Sequence, residues 1–285
     1  MKKLSLIILS LFCICFGFLS CAGFPDLSAV VKEPNVSLKS ADITGISLSG
    51  VNMLVHVDVE NPNNITIPLP RIDWEVFINN SSFVKGAINN DKSLAGRQTT
   101  TIDLPLVVGY EGLYNTVASV VSANEAAYDI SIAVTFNIPV LGERVYRLSH
   151  SGVLPMIKKP EIKFNGIARK SLGMTMEFVL GWEVENKNNF DFNLGMFSYD
   201  FTVNNSRWAS GQIENPPVLK AGAKTVIPLT VKISAASIIA ELVTIIGRGS
   251  AVTYSCTGNM KLQGAFPKLE PFELPLNLQG STQIR

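Results

Sequence analysis

Apolar and polar residues alternate with a period of two along most of this chain, and the alternation runs through it twice. Met53, Val55, Val57 and Val59 alternate with Leu54, His56, Asp58 and Glu60, while Phe178, Leu180, Trp182 and Val184 alternate with Val179, Gly181, Glu183 and Glu185. Successive side chains of a strand point to opposite faces, so each run predicts a strand with one face in a core. The runs are copies of each other. VDVENPNN at residues 57–64 returns as WEVENKNN at residues 182–189, an offset of 125 (182 minus 57) that then holds without a gap. Asn79-Asn80 meets Asn204-Asn205, Phe83 meets Trp208, and Gly86 meets Gly211. Ile72, Trp74, Val76 and Ile78 correspond to Phe197, Tyr199, Phe201 and Val203. Ile102, Leu104 and Leu106 correspond to Ile227, Leu229 and Val231.

One segment per copy changes period. Leu113, Val117, Val120 and Val121 fall at i, i+4, i+7 and i+8, as do Ile238, Leu242, Ile245 and Ile246. That spacing predicts one face of a short helix packed on the sheets. Strands then resume at a slightly larger offset. Tyr128, Ile130, Ile132, Val134 and Phe136 align with Tyr254, Cys256, Gly258, Met260 and Leu262, and Tyr146, Leu148 and His150 with Leu274, Leu276 and Leu278. Proline and lysine interrupt the pattern at residues 155–160 and mark the boundary between copies. The expected architecture is all-β: two tandem immunoglobulin/fibronectin-III-like β-sandwich domains, residues 34–155 and 156–285, each with one short helix.

The start of the chain follows a different rule. Lys2 and Lys3 precede an uncharged apolar core over residues 4–19, the layout of a secretory signal. A membrane-spanning helix takes about 20 apolar residues, so this run is short for a span. It closes on Phe18-Leu19-Ser20-Cys21, which resembles the lipobox of bacterial lipoproteins, with phenylalanine in the usual place of leucine. The resemblance implies a signal peptide over residues 1–20, a diacylated thiol on Cys21 and a tether over residues 21–33. Each buried CH₂ of such a lipid is worth about 0.8 kcal/mol, enough in two chains for stable attachment. Ala22 and Gly23, rather than aspartate, follow the cysteine, which within the same resemblance implies the outer membrane, facing periplasm or surface.

Composition narrows the partners. Of four cysteines, Cys13 and Cys15 leave with the signal and Cys21 carries lipid, so Cys256 is the one thiol left and no internal disulfide is expected. Without Lys2 and Lys3 the side chains carry 22 bases and 23 acids, a net charge of about −1 (22 minus 23), with no basic block. Nucleic acid is therefore not an expected partner, and anionic membrane surfaces lose their main electrostatic argument as well. Catalytic signals are thin as well. His150 aligns with Leu278 on an apolar face and His56 lies opposite the core, so neither reads as a base. Cys256 takes an inward position matching Ile130, which suits an inert thiol. Ser82 and Lys85 have the spacing of penicillin-interactive enzymes without the supporting motifs, and Gly247-Arg248-Gly249 reads as a helix stop. Glu60, Asn61, Asn63 and Asn64, or Glu185, Asn186, Asn188 and Asp191, offer oxygens, but without the alternating carboxylates of a calcium loop. No catalytic residue, metal or cofactor is expected.

Val59-Glu60-Asn61-Pro62-Asn63, followed by Asn79-Asn80 and Gly86, resembles the LEA type 2 family, also called the WHy domain or LEA14-like fold. The resemblance spans nearly the whole chain after Cys21, once per copy. In the second copy Lys187 replaces the proline between Asn186 and Asn188. Proline fixes φ and asparagine bonds to nearby backbone, so Asn61, Pro62, Asn63, Asn186 and Asn188 read as a loop motif, structural ahead of binding. The resemblance implies a non-catalytic protein associated with desiccation or other stress, with several members on membranes and lipid holding proposed for related domains.

Two functions follow as expectations. The first is a membrane-anchored envelope lipoprotein with a binding or stress-protective role, its partners being the membrane and an envelope protein or lipid. The second is a periplasmic carrier of lipid or another apolar ligand. Its candidate face would be Leu113, Val117 and Val120 in one copy and Ile238, Leu242 and Ile245 in the other.

Overall fold

Alternation becomes strand wherever the sequence predicts it. The computed structural model describes residues 31–68, 71–89, 93–139, 141–171, 173–234 and 251–285. Copy 1 runs β1 (Asn35–Ile46), β2 (Gly50–Asn61), β3 (Ile67–Pro68), β4 (Arg71–Ile78), β5 (Ser81–Ile88), β6 (Ser93–Leu94), β7 (Gln98–Gly109), β8 (Glu125–Ile138) and β9 (Gly142–Pro155). Copy 2 runs β10 (Glu161–Ser171), β11 (Thr175–Glu185), β12 (Phe192–Val203), β13 (Ser206–Ile213), β14 (Lys224–Ser234), β15 (Ala251–Gly264) and β16 (Phe272–Gln283).

Copy 1 pairs these strands as β1-β2-β7 in one sheet and β5-β4-β8-β9 in the other; copy 2 repeats the order as β10-β11-β14 and β13-β12-β15-β16. Three strands facing four, all antiparallel within each sheet, make the expected fibronectin-III-like sandwich twice. Inward residues meet between the sheets: Met53, Val55, Val57 and Val59 are buried, as are Phe178, Leu180, Trp182 and Val184. The hairpins β4–β5 and β12–β13 turn on Asn79-Asn80 and Asn204-Asn205, with φ of 46° and 66°, and 45° and 62°. Two successive left-handed residues define a type I′ turn, whose twist matches the flanking strands and which asparagine tolerates.

Between β7 and β8 lies α1 (Tyr110–Thr116), only seven residues long. Its N-cap residue, Gly109, supplies no capping side chain, and a 3-10 turn over Ala118–Val120 follows. Leu113, Val117 and Val120 still reach the core, but Val121, expected on the same face, is exposed. The helix has ended before it, so i+8 no longer returns to the face of i. The helix expected around Ile238, Leu242 and Ile245 lies outside the described residues, as do Cys21 and the segment before it.

The copies meet end to end. Met156 and Ile157 are buried, and Met156 N donates to Asn124 O at 2.8 Å. Tyr110 and Tyr114 hydroxyls from copy 1 donate to the carbonyls of Pro155 (2.6 Å) and Ile157 (3.2 Å). On the other side of the joint, Ile46 at the end of β1 bridges in parallel to Leu269, with Ile46 N donating to Lys268 O and Glu270 N to Ile46 O, both at 3.0 Å. The loop that reaches Ile46 spans residues 265–271, between β15 and β16; its counterpart in copy 1 is residues 139–141. Residues 155–160 are thus a joint packed on both copies.

Candidate functional site

Asparagine is a poor strand residue but a good clasp, because one amide both donates and accepts. Asn61 ends β2 and is fully buried, and Asn186 follows β11 in the same state. The Asn61 side-chain amide donates to the carbonyls of Ile65 (2.8 Å), Leu94 (3.1 Å) and Ala95 (3.3 Å). Asn186 donates to Phe190 O (2.8 Å) and Leu219 O (3.1 Å), the matching carbonyls. Each Oδ1 then accepts the backbone N–H two residues on, from Asn63 at 3.0 Å or Asn188 at 3.1 Å. A buried amide that satisfies this many backbone groups is a structural hub, since every such group left unpaired would destabilise the loop.

The second asparagine reaches further. Asn63 exchanges two bonds with the backbone of Lys32, each at 2.7 Å, and Asn188 does the same with Lys158, again at 2.7 Å each. The side chain here imitates a strand, holding the segment that leads into β1 or β10. Pro62 and Lys187, between the asparagines, stay outside the hubs; the Lys187 ammonium instead pairs with Glu161. Loss of the proline therefore leaves the loop intact, because the asparagines and not the fixed φ hold it. The asparagines of the motif form a structural clasp in both copies.

Val31-Lys32-Glu33-Pro34 and Ile157-Lys158-Lys159-Pro160 occupy equivalent places, at an offset of 126 (158 minus 32). The first tetrapeptide falls partly in the expected tether and the second in the expected boundary, yet both belong to their sandwiches, and both prolines are buried. The sequence carried the signal as this repeated apolar-lysine-x-proline pattern.

The proposed apolar-ligand face in copy 1 is part of the core: Leu113, Val117 and Val120 are all buried there. Their burial leaves them no surface to offer a ligand. Ile238, Leu242 and Ile245 lie outside the described residues.

Polar chemistry sits on the outer sheet faces. His56 Nδ1 lies 2.6 Å from Asp103 Oδ1 on the outside of β2 and β7, with no nucleophile bonded to the pair. A groove of about 430 Å³ crosses the outside of β5, β4, β8 and β9, lined by Arg71, Asp73, Lys85, Ser131, Ala133 and Arg147. Hydrogen bonds from Arg71 hold the Asp73 carboxyl below its usual range. No group of three or more His, Cys, Asp or Glu side chains is placed to hold a metal among the described residues. No described helix is long and apolar enough to cross a membrane.

Sheet order, register and duplicated asparagine clasps define a tandem β-sandwich protein of the fibronectin-III-like class. Comparison with known proteins gives the family. The model of the late embryogenesis abundant protein family LEA_2 matches residues 56–152 and again residues 182–278, and the chain belongs to that family. A desiccation-related protein of Arabidopsis thaliana, LEA14, is 29% identical over 138 residues, covering 48% of this chain and 89% of its own length. Late embryogenesis abundant protein Lea14-A of Gossypium hirsutum is 26% identical over 131 residues, covering 46% of this chain and 87% of its own. A solution structure from Arabidopsis thaliana is 28% identical, with a TM-score of 0.36, covering 44% of this chain and 83% of that one.

Proposed function

We propose that this chain is a membrane-anchored, non-catalytic envelope lipoprotein whose two LEA_2 sandwiches serve in binding or in protection against drying. The observation that carries the reading is that both copies match LEA_2, a family in which relatives matched over most of their length are named for desiccation. Anchoring is supported by the charged start, the uncharged core and Phe18-Leu19-Ser20-Cys21. The outer membrane is the proposed address, and an envelope protein or the membrane itself the proposed partner. Among the described residues both interiors are filled with the sandwiches' own side chains, which favours a surface-acting protein over a carrier.

Two measurements in the native host test this. Growth with a labelled fatty acid should label the wild-type protein and leave it in the membrane fraction, while Cys21→Ala is unlabelled and soluble. A wild-type protein without label would overturn the anchor. A strain lacking the gene should survive drying less well than its complemented parent; equal survival under drying and osmotic upshift would sink the protective role.

A further inference from the structure

We infer that the asparagine-loop end of copy 1 is the face that lies against the membrane, with Ile65, Lys32 and Arg97 meeting the lipid headgroups. The inference rests on the anchored reading of Cys21 and adds an orientation and a contact surface to it. Copy 2 serves as the internal control. Its asparagine-loop end is covered: Lys158, clasped by Asn188, sends its ammonium to Ser122 O (2.7 Å) and Asn124 Oδ1 (3.1 Å) of copy 1, and the 265–271 loop docks on Ile46. In copy 1 no described residue covers the same end. A shallow pocket of about 230 Å³ opens there among Val31, Lys32, Pro62, Asn64, Ile65 and Arg97.

The residues at this end differ between copies in the direction that an exposed interface requires. Ile65 is 44% exposed, whereas its counterpart Phe190 packs on Phe192 and Phe266 with ring centroids 5.0 and 5.1 Å away. Arg97 sits at φ 55°, a left-handed conformation that disfavours a side chain, where copy 2 has Gly222 at φ 64°. Both residues make the same backbone bond, to the carbonyl of Asn63 or Asn188 at 2.9 Å, so the turn itself needs only glycine. The arginine is exposed beside an exposed isoleucine, its Nε donating to Asn64 Oδ1 of the same loop while the rest of the guanidinium stays at the surface. An apolar side chain flanked by long cationic ones is the chemistry of a membrane interface: the apolar group enters the headgroup region while the cations reach phosphate.

Tether length supplies the occupant. Nine residues, 22–30, separate Cys21 from Val31. Ten such steps reach at most about 36 Å. Because Asn63 clasps the backbone of Lys32, the chain leaves copy 1 at this end. The far end of copy 1 lies a full β9 away, 14 residues or about 46 Å at strand rise. Lipid on Cys21 thus brings this end of copy 1, and not its far end, to the bilayer.

The test places a fluorophore on Ile65→Cys or, at the far end of copy 2, on Met174→Cys, whose native residue is 91% exposed. Cys256 is buried, and Cys21 carries the lipid, so neither takes the label. The full-length lipidated protein is bound to vesicles of phosphatidylethanolamine and phosphatidylglycerol containing a nitroxide-headgroup lipid. Fluorescence at position 65 should fall by about twofold or more, with position 174 unchanged. Arg97→Glu should weaken the quenching at 65 without releasing the protein. Equal fluorescence at both positions in protein that floats with the vesicles overturns the orientation and leaves the anchor standing. Protein that does not float overturns the anchor, and the orientation with it.

Discussion

Copy 1 and copy 2 share a sheet order and an asparagine scaffold but fill their interiors with different chemistry. Copy 1 places Leu38, Met53, Val57, Ile67, Ile72 and Val76 where copy 2 places Phe164, Phe178, Trp182, Phe192, Phe197 and Phe201. The rings of copy 2 touch one another, with Trp182 centred 5.4 Å from Phe197, 6.1 Å from Phe164 and 6.3 Å from Phe201. Their extra volume is offset on β15, where Cys256 and Gly258 stand in place of Ile130 and Ile132 of β8. Gly258 pairs with Tyr199 across the sheet, as Ile132 pairs with Trp74. What both copies keep is the alternation and the clasps; what they exchange is apolar volume. A sandwich of this kind is therefore specified by its pattern and its backbone satisfaction, and its core needs only the right total volume in the right places.

The sharpest way to break that comparison is to empty its centre. Trp182→Ala should cost copy 2 about 4 kcal/mol, since a large ring leaves a cavity that its aromatic neighbours cannot close. Val57→Ala, at the same place in copy 1, should cost about 2 kcal/mol for two methyl groups and a small void. Calorimetric unfolding of the full chain measures both, and equal losses would mean that the cores are organised alike despite their composition. Next in size are the clasps. Asn61→Ala removes the donor from three backbone carbonyls and Asn186→Ala from two, and each should cost about 3 kcal/mol. Here the copies should nearly agree, because their bonding differs only by the bond to Ala95 O. A loss in one copy only would show that Pro62 does hold the loop that Lys187 leaves free.

These contrasts also show where the sequence was readable. Strands are local: period-two alternation carries its own geometry, so they were predicted from short windows, whereas Asn79-Asn80 and Asn204-Asn205 stood out only as repeat matches until their φ angles showed I′ turns. The clasps are not local. Asn63 and Asn188 bond to backbone 31 and 30 residues away, a distance over which no periodicity points from one partner to the other. The repeat that reveals them is displaced as well, at 126 instead of 125, because the β10–β11 hairpin is one residue shorter than β1–β2. The docking of Ile46 on Leu269 spans both copies and left no pattern in either. As for the asparagine loops, residue type showed that they mattered, but only burial decided that they serve the fold.

Glycine gives a smaller contrast in the neighbouring hairpins. Trp74 and Tyr199 lie over Gly86 and Gly211 across the strand pair. A Cβ on Gly86 would meet the Trp74 ring at 2.5 Å, while one on Gly211 would meet the Tyr199 hydroxyl at 3.2 Å. Gly86→Ala should therefore cost about 2 kcal/mol, as overpacking against the Trp74 ring, and Gly211→Ala about 1 kcal/mol, chiefly for a side chain held at φ 157°. Urea midpoints at constant slope would order them, and the reverse order would show that backbone strain at Gly211 outweighs the closer contact at Gly86.

The smallest effect separates the copies by pH. Burial pushes the Cys256 thiol up to about 11 from an ordinary 9.0, with the Asp200 charge adding to the rise. The folded state thus disfavours the thiolate that the unfolded chain forms freely. A folded value above the unfolded one gives a contribution that is complete below about pH 9 and is lost as pH climbs towards 11. Copy 1 has Ile130 at this place and nothing there to ionise. Burial also raises Tyr114 and Tyr128 of copy 1 and Tyr199 of copy 2, so the proper reference is Cys256→Ala in the full chain. Its own deficit, from the lost sulfur, should be constant with pH, while wild type weakens above pH 9. The stability gap between the two should then narrow from neutral pH upwards. A gap that stays constant through that window would mean the thiol reaches solvent, and that the Trp182 core is looser than its packing implies.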